Sequence, residues 1–207
     1  MSGRLRVLGL TGSIGMGKST AAAMLVRLGV PVFSADACVH ELLAPGGAAV
    51  KAVAKAFPGT KDGRGIARAA LGRAVFAADA ALERLEAILH PLVRAREHAF
   101  IRRQAIGGRR LCALEIPLMF ETGADALCDA VIVVTAPPFV QESRVLARRG
   151  MTLERLASIR ARQMRESEKM ARADFCIATG LGRRHTWRAL RAIVAKMLQM
   201  NREVRHA

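Results

Sequence analysis

The chain of 207 residues has few aromatic residues and almost no asparagine. Aromatic residues make up 4% of it, with no tyrosine and one tryptophan. Proteins that bind single-stranded nucleic acids usually stack the bases on aromatic side chains, so this scarcity disfavours a nucleic-acid-binding protein. The only asparagine is Asn201, so the chain lacks the Asn-Lys-x-Asp element with which GTPases recognise guanine. A guanine-specific GTPase is therefore disfavoured as well.

Acidic residues are also scarce. The chain has 33 lysine and arginine residues against 17 aspartate and glutamate residues, which gives a net charge of +16. Such an excess indicates an anionic partner, either a nucleic acid or a small molecule that carries several phosphates. Because the charge alone does not choose between these partners, the choice rests on the motifs.

Long apolar runs are missing too. No run approaches the length of about 18 residues that a membrane-spanning helix needs. The apolar run near the N-terminus is too short for a signal peptide and leads directly into a glycine-rich motif. We therefore expect a cytoplasmic protein with no membrane partner.

The four cysteines lie far apart and show none of the spacings that are typical of a zinc site. Three of them fall in or beside apolar runs, which predicts reduced and buried thiols. These are Cys112, Cys128 and Cys176.

A complete P-loop signature, Gly-Ser-Ile-Gly-Met-Gly-Lys-Ser, occupies residues 12–19. An apolar run precedes it and helix-forming residues follow, which predicts a strand, a tight turn and a helix. The N–H groups of such a turn and the positive end of the helix dipole bind phosphate. Lys18 is predicted to reach the β- and γ-phosphates of ATP, and the hydroxyl of Ser19 to take one coordination position of Mg²⁺. The residues predicted to bind the nucleotide here are Gly12, Ser13, Ile14, Gly15, Met16, Gly17, Lys18, Ser19 and Thr20.

Five short apolar runs are the strand candidates of the chain. Helical patterns separate them, as between the buried parallel strands of an α/β sheet. With the P-loop, they predict a single domain with the three-layer core of a P-loop NTPase, closed by an amphipathic helix that contains Trp187 and Leu190. The runs are Val7–Leu10, Val30–Phe33, Leu111–Ile116, Ala130–Thr135 and Phe175–Ala178.

Two segments differ from this predicted core. Residues 46–107 contain apolar positions at helical spacing and no convincing strand, which predicts a helical insertion that binds the second substrate. Residues 144–172 carry nine arginine and lysine residues against three acidic residues, which is typical of a lid over the triphosphate or of a solvated charged face. The core then comprises residues 1–45, 108–143 and 173–207.

Asp36 is the best candidate for the base that a kinase needs near the γ-phosphate, since it follows the second predicted strand. The alternative role is a helix N-cap before residues 37–43. Glu115 and Glu121 could hold Mg²⁺ through water, or could be structural or merely solvated carboxylates. Within the lid, Arg144 is the first candidate for stabilising the transferring phosphate.

The order and spacing of these motifs resemble those of the dephospho-CoA kinase family over roughly residues 7–182. The family pattern L-T-G-x-I-G-x-G-K-S-T is matched from Leu10 to Thr20. Further matches are Ser34-Ala35-Asp36 with His40, Arg68 with Leu71, Val75 and Phe76, Leu89-His90-Pro91, Ile116 to Glu121, Gln141 with Arg144 and Arg148, Arg160 with Gln163, and Ala173 to Ile177. Two departures are Ser34, where the family has aspartate, and Thr179, where it often has asparagine.

The resemblance implies that the chain transfers the γ-phosphoryl group of ATP to the ribose 3′-hydroxyl of dephospho-CoA, the final step of coenzyme A biosynthesis. Asp36 would then orient or deprotonate that hydroxyl while Lys18, Mg²⁺ and Arg144 stabilise the transferring charge. Arg148 would bind the nucleotide. The anchors of dephospho-CoA would be Asp36, Arg68, His90 and Arg94.

Other interpretations stay open at this point. His90-Pro91 could be a junction at which Pro91 opens a new helix. The chain could be another small P-loop kinase, or a basic nucleic-acid-binding ATPase. We expect a monomer or a weak homo-oligomer with ATP, Mg²⁺ and dephospho-CoA as partners and no nucleic acid.

Overall fold

The structure is a computed structural model that describes residues 4–76 and 79–203. The strands are β1 (Arg6–Thr11), β2 (Val32–Ser34), β3 (Lys61–Asp62), β4 (Gly65–Ile66), β5 (Leu111–Glu115), β6 (Ala130–Thr135) and β7 (Phe175–Ala178). The helices are α1 (Lys18–Arg27), α2 (Ala35–Leu43), α3 (Val50–Ala56), α4 (Arg68–Phe76), α5 (Asp79–Ile106), α6 (Pro138–Leu146), α7 (Leu153–Ala161), α8 (Glu166–Arg172) and α9 (Arg183–Glu203). The chain forms two compact units, one of residues 1–33 and 101–207 and one of residues 34–100.

The first unit is built on a five-stranded sheet with the order β2-β5-β1-β6-β7. Strand β1 runs parallel to both β5 and β6, with Leu10 opposite Glu115 and Ile132. The central strands are buried on both faces, which explains why they read as continuous apolar runs rather than as alternating patterns. All five predicted strands are therefore confirmed, with ends that differ from the predicted ones by at most two residues.

Helices α1 and α9 pack on this sheet and complete the core of the first unit. Leu25 of α1 and Leu190 of α9 are fully buried in the same cluster as Leu8 and Ile132 of the sheet. The predicted closing helix is thus confirmed as α9. In the described residues, no helix has both the length and the apolar character that a membrane crossing requires.

The second unit is helical, with its own buried residues, but it contains a short hairpin that the sequence reading missed. Strands β3 and β4 pair antiparallel, with Lys61 opposite Ile66 and Asp62 opposite Gly65. Two-residue strands are too short to show a period of two, so only the Asp62-Gly63 turn was visible in the sequence. The second unit begins at residue 34 and ends at residue 100. The predicted boundaries of the insertion, residues 46 and 107, stay a prediction.

The predicted helix junction at Pro91 is wrong. Pro91 lies inside α5, which continues through it for 28 residues in all. Proline has no N–H to donate, so the helix loses one internal hydrogen bond at this point. Burial of Leu85, Leu89 and Val93, four residues apart along α5, offsets this loss because they form one apolar face.

The cysteines are all free, as predicted, but they are not all buried. Cys112 is fully buried in β5, and this burial raises the pKa of its thiol to about 12. Cys128 is partly exposed and Cys176 is exposed, so the prediction of a buried thiol is wrong for Cys176. The physical reason is that Cys176 belongs to β7, an edge strand of the sheet.

Candidate active site

The P-loop connects β1 to α1 in the first unit, as the sequence predicts. Gly17 is the N-cap residue of α1 in the left-handed conformation, with φ 85°, and no side chain caps this helix. A helix start of this kind directs its backbone N–H groups and the positive end of its dipole at an anion. The geometry therefore suits the phosphates of a nucleotide.

Two features favour glycine at position 15 of the P-loop: its backbone conformation and the close packing of α6 against it. Its φ is 77°, and a Cβ there would lie 2.6 Å from Cγ2 of Val145 and 3.0 Å from the carbonyl oxygen of Gln141. Helix α6 thus packs directly on the backbone of the loop. In the sequence this glycine is visible only as part of a phosphate-binding motif.

Two of the three candidate ligands of Mg²⁺ in this unit, Ser19 and Glu115, have no side-chain partner among the described residues. Ser19 is an exposed residue of the first turn of α1, and Glu115 is a buried residue at the end of β5, the neighbour of β1. Among the described residues, neither side chain has a hydrogen bond or an ion pair. Mg²⁺ in kinases is held by one or two protein oxygens, water and substrate phosphates, so this donor set fits the ion.

Glu121, the other carboxylate considered for Mg²⁺, is engaged by the lid. Its Oε1 atom accepts a hydrogen bond of 2.8 Å from the backbone N–H of Met164 and lies 2.8 Å from Nζ of Lys169. The Lys169 side chain is fully buried, and its ammonium group forms this ion pair without the alignment of a hydrogen bond. Glu121 therefore has one partner just before α8, Met164, and one within α8, Lys169.

Arg144, the predicted phosphate ligand, lies between the lid and the P-loop. It donates hydrogen bonds to the hydroxyl of Thr179 (3.0 Å), to the carbonyl oxygen of Thr179 (3.2 Å) and to the carbonyl oxygen of Gly15 (3.4 Å). A guanidinium has five N–H donors, so two remain for a ligand. The Thr179 hydroxyl also lies 2.8 Å from the carbonyl oxygen of Met16. The residue that departs from the family pattern therefore joins lid and P-loop.

Other basic residues of the lid also have protein partners. Arg160 contacts Gln141 and forms an ion pair of 3.1 Å with Glu142. Arg172 forms an ion pair of 2.8 Å with Asp125 and lies 4.5 Å from the ring centre of Phe120. These contacts fix the lid helices onto the first unit.

Three exposed lid arginines have no protein partner among the described residues: Arg148, Arg149 and Arg165. Arg148 is the residue that the sequence predicts to bind the nucleotide. Its guanidinium keeps all five donors for an anion, which suits that role.

In the second unit, Asp36 lies in the first turn of α2 and is not its N-cap. The N-cap is Ser34, whose hydroxyl accepts a hydrogen bond of 3.5 Å from the N–H of Ala37. The N-cap interpretation of Asp36 is therefore wrong. The N-cap residue is Ser34, one of the two departures from the family pattern. The carboxylate of Asp36 is exposed and has no partner among the described residues.

His40 and Arg68 meet in the second unit, a contact that the sequence reading did not predict. Nη1 of Arg68 lies 2.8 Å from Nε2 of His40. Because a guanidinium only donates, Nε2 of His40 is the acceptor in this contact. His40 stands four residues after Asp36, on the same face of α2. In the sequence, His40 could be recognised as a functional candidate only from its spacing to Asp36 in the family pattern.

His90 and Arg94 both lie on α5, four residues apart, and both are exposed. Residues at this spacing share one face of a helix. The four residues predicted to bind the acceptor thus lie on three helices of the second unit: Asp36 on α2, Arg68 on α4, and both His90 and Arg94 on one face of α5.

Known proteins match the chain along most of its length. The family model described as dephospho-CoA kinase matches residues 6–181. The chain belongs to the dephospho-CoA kinase family. The dephospho-CoA kinase of Rhodospirillum rubrum is 57% identical over 187 residues, which are 90% of this chain and 89% of that protein. That of Paramagnetospirillum magneticum is 58% identical over 80% of this chain and 78% of its own length.

Solved structures agree with this family. The chain is similar to TT1252 from Thermus thermophilus, with a TM-score of 0.78 and 33% identity over 93% of this chain and 98% of the other. It is similar to the dephospho-CoA kinase from Campylobacter jejuni, with a TM-score of 0.69 and 27% identity over 94% and 98%. The predicted family, the α/β fold and the assignment as a kinase of coenzyme A biosynthesis are confirmed.

Proposed function

We propose that the chain transfers the γ-phosphoryl group of ATP to the ribose 3′-hydroxyl of dephospho-CoA, with the residue roles given below. The proposal rests on two observations: the first unit contains an uncapped P-loop helix, and the second contains Asp36, an exposed carboxylate with no partner among the described residues. Phosphoryl transfer needs little covalent chemistry from the protein, since positioning and charge stabilisation supply most of the effect.

On the nucleotide side, residues 12–20 bind the phosphates of ATP. Lys18 and Arg144 stabilise the charge of the transferring group, and Arg148 binds the nucleotide from the lid. For Arg144 the support is its place beside Gly15 with two donors left over. Ser19, with Glu115 through water, holds Mg²⁺, which neutralises phosphate charge when it is bound.

On the acceptor side, Asp36 orients or deprotonates the 3′-hydroxyl. A carboxylate within hydrogen-bond reach of the acceptor is the usual arrangement for this step. Arg68, His90 and Arg94 anchor the phosphate groups of dephospho-CoA, and His40 orients Arg68 through the 2.8 Å contact.

We also propose that the enzyme acts in the cytoplasm as a monomer or a weak homo-oligomer and has no nucleic-acid partner. The scarcity of aromatic residues, 4% of the chain, supports the last point because base stacking needs such side chains.

The test is an assay of ADP release with Mg·ATP and a panel of acceptors: dephospho-CoA, adenosine, AMP and shikimate. We expect turnover with dephospho-CoA alone. The Asp36→Asn variant should lose at least about 100-fold in kcat, the usual scale of a general base. Glu41→Gln, an exposed carboxylate of the same helix, is the matched control and should retain activity.

Two results would contradict the proposal in different ways. Undiminished turnover of Asp36→Asn would retain the kinase and remove Asp36 from the chemistry. Phosphate release that depends on DNA or RNA, without turnover of dephospho-CoA, would instead favour the nucleic-acid-binding ATPase.

A further inference from the structure

Ile14 occupies a position that the P-loop signature leaves open, yet Gln141 of α6 and Gln163 of the lid bond to both of its backbone polar groups. Nε2 of Gln141, on α6, donates a hydrogen bond of 2.7 Å to the carbonyl oxygen of Ile14. Oε1 of Gln163, between α7 and α8, accepts one of 3.3 Å from the Ile14 N–H. The carbonyl oxygen and the N–H of Ile14 are thus bonded to two separate segments, α6 and the lid.

Arg160 decides which way the Gln141 amide faces. Both Nε (3.1 Å) and Nη2 of Arg160 donate to Oε1 of Gln141. A guanidinium cannot accept a hydrogen bond, so the amide oxygen must face Arg160 and the NH₂ group must face Ile14. Gln141 is 4% exposed, and burial strengthens the preference because an unpaired amide group would be costly there.

Direct packing accompanies these hydrogen bonds. The space beside Gly15 where a Cβ would stand is filled by Val145 and by the backbone of Gln141. Helix α6 therefore holds the loop immediately before the residues whose N–H groups face the phosphates. A small rotation of the Ile14 peptide would re-aim those groups, and catalysis is sensitive to such displacement.

From these contacts we infer that Gln141, oriented by Arg160, is a positioning residue that fixes the P-loop for ATP, and that Gln163 supports it from the other side of Ile14. The inference rests on the proposed function insofar as the nucleotide is ATP. It concerns nucleotide binding alone, because no acceptor residue takes part in the network.

The test substitutes Gln141→Glu, which keeps the length of the side chain and an acceptor for Arg160 but loses the donor to Ile14. A carboxylate oxygen would then face the Ile14 carbonyl oxygen. We expect the KM for ATP to rise about tenfold, which corresponds to one lost hydrogen bond at the loop, with the KM for dephospho-CoA unchanged. Gln199→Glu, the same change at an exposed position of α9, is the control and should behave as the wild type.

Two further measurements keep the test decisive. The affinity for ADP, measured by calorimetry without any acceptor, should weaken in Gln141→Glu even if dephospho-CoA were not the acceptor, so the two proposals fail separately. Amide hydrogen exchange at Ile14, followed by NMR, should accelerate in Gln163→Ala, a milder change that keeps α6 intact.

The inference is overturned if Gln141→Glu binds ADP as the wild type does, or if its KM values for ATP and acceptor rise by the same factor. It is also overturned if Gln141→Glu fails to fold and Gln163→Ala leaves both Ile14 exchange and ADP affinity unchanged.

Discussion

The nucleotide side and the acceptor side of this protein differ in how completely their side chains are bonded before any substrate binds. On the nucleotide side, Gln141 of α6 and Lys169 of the lid are buried, and Arg144 bonds to both Gly15 and Thr179. On the acceptor side, Asp36 and His90 are exposed and have no protein partner in the described part of the chain.

This difference predicts which substitutions change the stability of the protein and which change only substrate binding. A prebuilt network loses little conformational entropy on binding its ligand, so its substitutions should affect both stability and nucleotide affinity. Exposed charged residues that await a ligand contribute little to folding, so their substitutions should affect substrate binding alone. Each prediction below tests one side of this contrast.

The largest effect is expected for Lys169→Ala, which leaves Glu121 without its buried partner. Lys169 is fully buried and the Glu121 side chain is 19% exposed, so we expect a loss of about 2 kcal/mol in the free energy of unfolding, which urea titration would measure. Arg165→Ala, an exposed arginine without a partner among the described residues, is the control. A loss below about 0.5 kcal/mol would show that the lid is not prebuilt.

On the acceptor side, Arg68→Gln should raise the KM for dephospho-CoA about tenfold, because it removes a charged hydrogen bond to a phosphate. Steady-state kinetics should show an unchanged KM for ATP, and Tm should stay constant since Arg68 is exposed. Arg73→Gln, exposed on the same helix, is the matched control. A drop in Tm would place Arg68 in the folding of the unit instead.

Arg148 combines features of both sides, since it belongs to the lid but has no protein partner in the part of the chain that the structure describes. Arg148→Gln should raise the KM for ATP roughly fivefold, as expected for one partly solvated charged contact, and leave Tm unchanged. Arg109→Gln, another exposed arginine of the first unit, should change neither quantity. An unaltered KM for ATP would assign the nucleotide contact to another lid residue.

The smallest effect concerns Glu97, a buried residue of α5 in the second unit. Burial raises the pKa of Glu97, although Arg94 and His98 act in the opposite direction. A carboxyl group with a raised pKa in the folded state costs stability once the pH exceeds its unfolded pKa of about 4.3. Glu97→Gln should therefore raise Tm by about 2–4 °C at pH 7, for a gain on the order of 1 kcal/mol.

The pH dependence gives this last prediction its control. At about pH 3, well below the unfolded pKa, Glu97 is mostly protonated in both states, so the wild type and Glu97→Gln should unfold at nearly the same temperature. A difference in Tm that persists unchanged at about pH 3 would mean that packing, not charge, is responsible.

How far the sequence predicted this protein depended on how local each signal was. The five strands of the sheet and the P-loop were predictable because apolar runs and glycine spacing lie in short stretches of chain. The hairpin of β3 and β4 was missed because two residues show no period. The helix junction predicted at Pro91 was wrong because the apolar face of α5 keeps the helix intact beyond the proline.

The sequence by itself determined the family, the parallel sheet and the identity of the phosphate-binding loop, because each follows from residue types at fixed spacing. Only the tertiary structure decided what the lid residues do. Gln141 donates a hydrogen bond to Ile14, 127 positions away, and Arg144 donates one to Thr179, 35 positions away. Lys169 forms its buried ion pair with Glu121, which belongs to a different segment. Such contacts arise from how helices pack on the sheet, and no local pattern encodes them.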